Sequence, residues 1–363
     1  MRKARAEKQS RKLLTLLVLL MGLTLFIAGC ENGTADEEEH TNGDAVDEKE
    51  EDHENDDETG EDADESENGS DNGTEDKEDD PETLAKELGI EEIDQRMFVL
   101  ASVPYRDDAS REAEVLGEVS AKEPVTVTGR VANDWVRVDI DGTEGFLHPV
   151  FLSEEEIRTF TWGSGEMEEE MVMHPTPKEI DAIINKQIAL APDFHPEDLV
   201  QPDVPWAEVS NYRYMRQVAA EALEDLFEAA AEDGHTLLGR TGYRSFEAQE
   251  SIFINFVNNN SYEEARTFSA KPGQSEHQTG LAMDITAASV GGRLTQDLGS
   301  TEEGQWVGEN AHKNGFIIRY PEGKEHITGY IYEPWHLRYV GRDLATELYE
   351  SGLTMEEYFG GVE

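Results

Sequence analysis

Cysteine is almost absent: the 363-residue chain has one, Cys30. No intramolecular disulfide can form, and a thiolate-rich metal site is excluded. Any tightly held metal must take histidine and carboxylate ligands. Basic residues are also scarce, 30 Lys and Arg against 81 Asp and Glu, for a net charge of -51. No basic stripe occurs anywhere, and a chain this acidic is repelled by phosphate backbones, so nucleic acid is excluded as a partner. Long apolar runs are missing except for Leu13 to Ile27, which is short for a membrane span. The length suffices for more than one domain.

What is present begins with a targeting segment, residues 1–29. Arg2, Lys3, Arg5, Lys8, Arg11 and Lys12 precede the apolar run, which ends in Ile27-Ala28-Gly29-Cys30. This order resembles the bacterial lipoprotein signal, in which small residues admit the peptidase and the following cysteine takes the lipid. The expectation is a lipid anchor on Cys30 and a chain that lies outside the cytoplasmic membrane, tethered to its outer face. Residues 30–93 are expected to be a disordered acidic linker. The tract is dominated by Asp and Glu, with Gly, Asn, Ser and Thr between them, and has almost nothing apolar to bury. Self-repulsion would extend it into a spacer.

Residues 94–154 read as a small β domain. In Trp135-Val136-Arg137-Val138-Asp139-Ile140 the even positions are aliphatic and alternate with polar ones, as in a half-buried strand. Asp141-Gly142 supplies a hairpin turn. Val103-Pro-Tyr-Arg106, Gly117-Glu-Val119, Asp134-Trp-Val-Arg-Val138 and Gly142-Thr-Glu-Gly-Phe-Leu147 give an order that resembles a bacterial SH3-like domain. The resemblance implies an all-β barrel, of a kind that often binds wall peptide or glycan. Residues 155–177 read as a polar linker.

The second domain, 178–363, mixes helical and strand patterns, as in an α+β fold. Ser210 is expected to cap a helix that stops at Gly234, with Val218, Ala219, Leu223, Leu226, Phe227 and Ala230 on its inner face. A strand follows at Leu237 to Tyr243, then a helix capped by Ser245 and another from Glu303 to Lys313. Apolar strands are expected at Phe316 to Tyr320, Gly329 to Tyr332 and His336 to Val340.

Its chemistry gathers in Ser275-Glu-His-Gln-Thr-Gly-Leu-Ala-Met-Asp284 and in Glu333-Pro-Trp-His336. From Gly280 to Ile285, Leu281, Met283 and Ile285 face one way and Asp284 the other, so Asp284 can point into a cleft. His277, Asp284 and His336 could close three corners of a tetrahedral zinc site and leave one corner for water. Glu333 is the spare carboxylate where a general base would be needed. Pro334 forbids a helical arrangement of Glu333 and His336 and calls for a bend instead. The other histidines read as ordinary: His312 as a packing residue on a helix, His326 as a loop residue.

Taken together, Ser-x-His-x-x-Gly-x-Ala-x-Asp and Glu-x-Trp-His resemble the zinc D-alanyl-D-alanine carboxypeptidase family of vancomycin-resistance-type and L,D-carboxypeptidase-like metallopeptidases. Gly242-Tyr-Arg-Ser-Phe-Glu-Ala-Gln249, Asn310-Ala-His-Lys-Asn-Gly-Phe316 and Arg319-Tyr-Pro321 extend the match across the second domain. The resemblance implies a small antiparallel sheet with packed helices and one zinc ion on His277, Asp284 and His336. It also implies Glu333 as the proton carrier and Arg244 as the group that polarises the scissile carbonyl. Gln249, Ser275 and Tyr320 would bind substrate. The expected activity removes the terminal D-alanine from peptidoglycan stem peptides. An endopeptidase on the same scaffold, or a non-catalytic wall-binding lipoprotein, are the alternatives.

Overall fold

The first strand starts at Ile90, ahead of residue 94. The computed structural model describes residues 84–362, apart from 176 and 209–211. The targeting segment, Cys30, the acidic tract up to residue 83 and Ser210 lie outside the described residues. A short helix α1 (Leu84–Leu88) leads into β1 (Ile90–Val99), and Ala85 is buried against Ala109, Val131, Trp135 and Phe146. The last ten residues of the expected linker are therefore part of the β domain. Glu91, Glu92 and Asp94 disguise a strand in which Ile90 and Ile93 both turn inward, because the pairing shifts register between Glu92 and Gln95.

The strands β2 (Val103–Arg106), β3 (Val115–Val119), β4 (Pro124–Val131), β5 (Val136–Ile140), β6 (Thr143–Leu147) and β7 (Leu152–Ser153) complete a seven-stranded sheet in the order β3-β2-β6-β5-β4-β1-β7. Val125, Val127, Val136, Val138 and Leu147 fill its interior. Asp141 and Gly142 join β5 to β6 with φ of 53° and 84°, the left-handed pair that a two-residue turn matched to strand twist requires.

The expected linker 155–177 is ordered instead. β8 (Thr159–Trp162) and β9 (Glu169–Met173) form a hairpin, and β9 pairs in parallel with β10 (Ile188–Ala189). The acidic run Glu168–Glu170 hid the strand, but Trp162 and Met171 are buried with Phe246 and Phe253. Burying each contributes on the order of 2 kcal/mol.

Short strands β11 (Leu199–Val200) and β12 (Met215–Arg216) pair next, and helix α2 (Gln217–Glu232) follows directly. The helix starts seven residues after Ser210. Met215 and Arg216 are held extended by the strand pairing, and Arg216 is an N-cap without a side-chain cap bond. Val218 faces solvent, while Ala219, Leu223, Leu226, Phe227 and Ala230 face inward.

The remaining elements are β13 (Leu237–Thr241), α3 (Phe246–Asn259), α4 (Tyr262–Phe268), β14 (Ala282–Ala287), α5 (Glu302–Asn310), β15 (Phe316–Ile318), α6 (Glu325–Thr328), β16 (His336–Tyr339), α7 (Arg342–Ser351) and α8 (Met355–Tyr358). Ser245 and Ser261 cap α3 and α4 by accepting from the amides of Ala248 and Glu264. Helix α4 was not expected from the sequence. No strand forms over Gly329 to Tyr332: Gly329, at φ 75°, ends α6, and the Ile331 amide turns away to the Thr267 carbonyl. His326 sits on α6 rather than in a loop.

β13, β14, β16 and β15 form one antiparallel sheet in that order. Leu281, Met283, Ile285 and Leu337 pack against α2 and α5 through Leu223, Leu226 and Trp306. At the far end, Ala345 and Leu348 of α7 and Met355 and Phe359 at α8 share a core with Val99, Phe151 and Leu152 of the β domain. Arg106 of β2 donates to the Val362 carbonyl at 2.8 Å, so the end of the chain is fastened to that domain.

Candidate active site

The register of the four-stranded sheet assembles the site. Asp284 on β14 is the direct cross-strand partner of His336 on β16. Directly opposed residues share a face. This is the face away from Met283 and Leu337, so both polar side chains enter a cleft. His277 comes from a 3₁₀ turn, Glu276–Thr279, that ends at Gly280. Gly280 has φ 71°, and a Cβ there would lie 2.9 Å from Arg216, so the turn before the strand needs glycine on both counts. Glu333 joins through a tight turn: the His336 amide donates to the Glu333 carbonyl at 3.1 Å, with Pro334 next in line.

These placements bring ligating atoms of His277, Asp284 and His336 within 4.8 Å of one another. Asp284 Oδ1 is 3.3 Å from His277 Nε2 and 3.1 Å from His336 Nδ1. The other nitrogen of each ring is occupied. His277 Nδ1 is 2.9 Å from the Gly242 carbonyl, and His336 Nε2 is 3.3 Å from Glu276 Oε2. Each ring can thus donate outward and, in its neutral form, present one lone pair inward. That arrangement, with a buried carboxylate as third donor, fits a divalent ion with an open fourth position.

Burial and neighbouring charges set the electrostatics. Burial opposes a charge on Asp284, but His277 and His336 hold its carboxyl well below the usual carboxylate range. Burial, with Arg244 nearby, pushes His277 down to about 4. It also works against a charge on His336, yet hydrogen bonds to Asp284 and Glu276 outweigh it and raise that ring to about 9. Glu333, 7% exposed, is pushed up to about 8, mainly by burial, although His336 opposes the rise. Its Oε2 lies 3.9 Å from His336 Nδ1.

The cleft around these groups measures about 570 Å³, in the range of small-ligand sites. Arg244 lines it with Nη1 4.0 Å from Asp284 Oδ2, and its buried Nε has no protein partner. Ser275 and Tyr320 also line it, and the Tyr320 ring lies 4.9 Å from that of His336. Gln249 does not. It is 1% exposed beneath the cleft floor, and its amide donates to the Ala270 carbonyl at 2.7 Å. That bond supports the loop that leads to Ser275, while the buried Oε1 of Gln249 has no protein partner. Ile252 and Phe256, a few residues further along α3, form an apolar wall with Phe268.

Sequence reasoning missed Glu276, Arg338 and Arg240. Arg240 lines the cleft. Glu276 and Arg338 are nearly inaccessible, at 1% and 0%. A signal existed for Arg338: it stands two residues after a ligand on a strand, hence on the same face. His312, read as a packing residue, stacks on Tyr349 with ring centroids 3.8 Å apart.

Comparisons with known proteins agree with this geometry. A family model described as D-alanyl-D-alanine carboxypeptidase matches residues 212–342, and one described as bacterial SH3 domain matches 106–153. A Bacillus subtilis (strain 168) protein named as a carboxypeptidase, YodJ, is 50% identical over 189 residues, spanning 52% of this chain and 69% of its own. A D-alanyl-D-alanine carboxypeptidase of Enterococcus faecalis (strain ATCC 700802 / V583) is 40% identical over 167 residues, 44% of this chain and 60% of its own. Among solved structures, the LdcB LD-carboxypeptidase, described in terms of peptidoglycan recognition, is 45% identical with a TM-score of 0.51. The match covers 56% of this chain and 95% of that one.

Proposed function

The chain belongs to the D-alanyl-D-alanine carboxypeptidase family and is a carboxypeptidase, and from that premise we propose that it uses zinc to release the terminal D-alanine of peptidoglycan stem peptides. One observation carries the reading. His277, Asp284 and His336 converge within 4.8 Å on a cleft that also holds Glu333 and Arg244. Two imidazoles and one carboxylate suit zinc, and a set of three ligands among the described residues suits a catalytic site with an open position.

Zinc bound there supplies Lewis acidity toward the scissile carbonyl and acidifies water. The chain's own groups do the rest. Glu333, buried and beside His336, takes a proton from the attacking water as its oxygen bonds to the carbonyl carbon. It then returns that proton to the D-alanine nitrogen as the C–N bond breaks. Burial of Glu333 and the three ligands strengthens each electrostatic contact. Arg244, whose buried Nε has no protein partner, donates to the carbonyl oxygen as negative charge develops there. Ser275 and Tyr320 hold the peptide against this group. Gln249 acts one step back, by fixing Ala270 and with it the approach to Ser275.

Location agrees with substrate: in this reading Cys30 carries the lipid, the acidic tract serves as a spacer, and the SH3-like domain binds wall material. Loss of membrane retention in Cys30→Ser tests the anchor.

The test of the activity is incubation of the purified protein with pentapeptide and tetrapeptide stems, with products identified by mass spectrometry. Free D-alanine is expected, from the pentapeptide for a D,D specificity and from the tetrapeptide for an L,D specificity. Internal cleavage, or no D-alanine from either stem with zinc bound, would overturn the proposal.

A further inference from the structure

Behind His336 lies a buried chain of charges that the reaction itself does not use. Glu276 Oε2 faces His336 Nε2 at 3.3 Å. Its other oxygen, Oε1, accepts from Arg338 Nη1 at 2.7 Å and from Arg319 Nε at 2.8 Å. Arg319 is in turn gripped by both oxygens of Glu356, at 2.9 and 2.6 Å. Arg338 also donates to the carbonyls of Ile180 and Ala182. None of the four is more than 6% exposed. Two guanidinium groups and two carboxylates balance, so the cluster carries no net charge into the interior. Removing one member leaves an uncompensated buried charge, which is costly.

We propose that Glu276 is a positioning residue for the metal centre. It fixes the tautomer and orientation of His336, and Arg319 and Glu356 hold it in place. The inference rests on the zinc reading above. A carboxylate can only accept, so His336 Nε2 must carry the proton and Nδ1 is left as the ligating lone pair beside Asp284. The two arginines use only Oε1, which leaves Oε2 to hold the imidazole at one angle. Glu356 extends the arrangement to α8, beyond the residues matched by the carboxypeptidase family model. Met355 and Phe359 on either side of Glu356 pack into the core shared with Val99 and Phe151 of the β domain. The far end of the chain thus bears on a zinc ligand without touching the cleft.

The tautomer argument makes Glu276→Gln informative. Its amide oxygen would take the arginines and its –NH₂ would face His336 Nε2, which favours the proton on Nδ1 and blocks ligation. The test is zinc affinity of the full protein, by competition with a chromophoric chelator, alongside kcat and KM at saturating zinc. Glu276→Gln should bind zinc about 10- to 100-fold more weakly, the usual cost of losing a partner behind a ligand. Its kcat should fall with KM little changed, and Glu276→Asp should recover part of both losses. Glu356→Gln reports on the same chain if Glu276→Gln does not fold, and should weaken zinc in the same direction by less. Wild-type protein that binds no zinc would sink the zinc reading itself. Tight wild-type binding with unchanged affinity in a folded Glu276→Gln, or in Glu356→Gln when that is the variant that folds, would overturn this inference alone.

Discussion

Asp284 and His336 face each other directly across two antiparallel strands, with Oδ1 3.1 Å from Nδ1. The distance between two ligands is therefore set by backbone hydrogen bonds rather than by loop conformation. A slip of one residue in the pairing would turn the ligand of the slipped strand into the apolar layer formed with Met283 and Leu337. Asp284→Asn keeps the shape but removes the charge that the two imidazoles surround. It should retain the fold, lose zinc affinity by at least about 10-fold, and lose activity in parallel. Circular dichroism with a zinc titration measures both. Full affinity in a folded variant would remove Asp284 from the ligand set.

Glu333 is assigned proton transfer and no share in holding the metal. Glu333→Gln should therefore keep one zinc per chain while kcat falls by about 10²- to 10⁴-fold, the range for loss of a positioned acid–base group. Metal content and single-turnover rates on the same preparation separate the two effects. Loss of zinc in this variant would show that Glu333 belongs among the ligands.

Stripping the metal should change the direction in which pH acts. In the metal-free protein His336 is raised to about 9 and Glu333 to about 8. Both bind protons more tightly folded than unfolded, so their contributions are present at low pH and are lost as pH rises. The Glu333 contribution should be lost between pH 4.5 and about 8 and that of His336 between pH 6.5 and about 9, so the stripped protein should lose stability most steeply between pH 6.5 and 8. The zinc-loaded protein, whose ligands are already deprotonated, should not. Loading zinc at pH 7 should release about one proton from His336, and more as Glu333 ionises. Calorimetry in buffers of different ionisation enthalpy counts those protons. No release at pH 7 would contradict the assignment of His336.

On the acid side buried histidines govern, His277 of the stripped site among them. His148 and His174 are both pushed down to about 4, principally by burial. Each stays neutral in the fold while its unfolded counterpart takes a proton below pH 6.5. Stability should fall as pH drops from 6.5 to 4, by up to roughly 3 kcal/mol per histidine, since each tenfold loss of proton affinity on folding is worth about 1.4 kcal/mol. His148→Phe should flatten part of that slope in urea melts across this range.

The hairpin of β8 and β9 is expected to matter to a site it does not enter. Lys271 pairs with Glu169 of β9, Phe160 packs by Gly273, and the Leu190 amide donates to the Gly273 carbonyl at 2.7 Å. These contacts clamp the loop that ends in Ser275. Trp162→Ala should cost about 3 to 5 kcal/mol, as for other buried aromatic truncations. In the folded fraction it should raise KM through a looser Ser275. An unchanged KM would confine the hairpin to stability.

Much of the site was legible because its ligands lie in short motifs with readable geometry. Alternation put Asp284 opposite the apolar residues of β14, and Pro334 excluded a helix and required the turn that now joins Glu333 to His336. Glu276 was hidden because nothing local separates a buried glutamate from an exposed one. Its two arginine partners lie 43 and 62 residues further along. For Gln249, spacing along a helix gave the face but not the burial: its side chain is 1% exposed and its amide is engaged by the Ala270 carbonyl. The strands at 90–93 and 169–173 were masked by acidic residues on their outer faces, where a composition-based reading sees only charge. Helix α4 is only seven residues long, too short for a clear periodicity.

The most direct test of a zinc carboxypeptidase is to strip the metal and return it in measured steps with a stem peptide present. D-alanine release should start near zero, rise in proportion to added zinc, and level off at one equivalent per chain. Equal release by the stripped protein, or no release at full loading from either pentapeptide or tetrapeptide, would contradict the account.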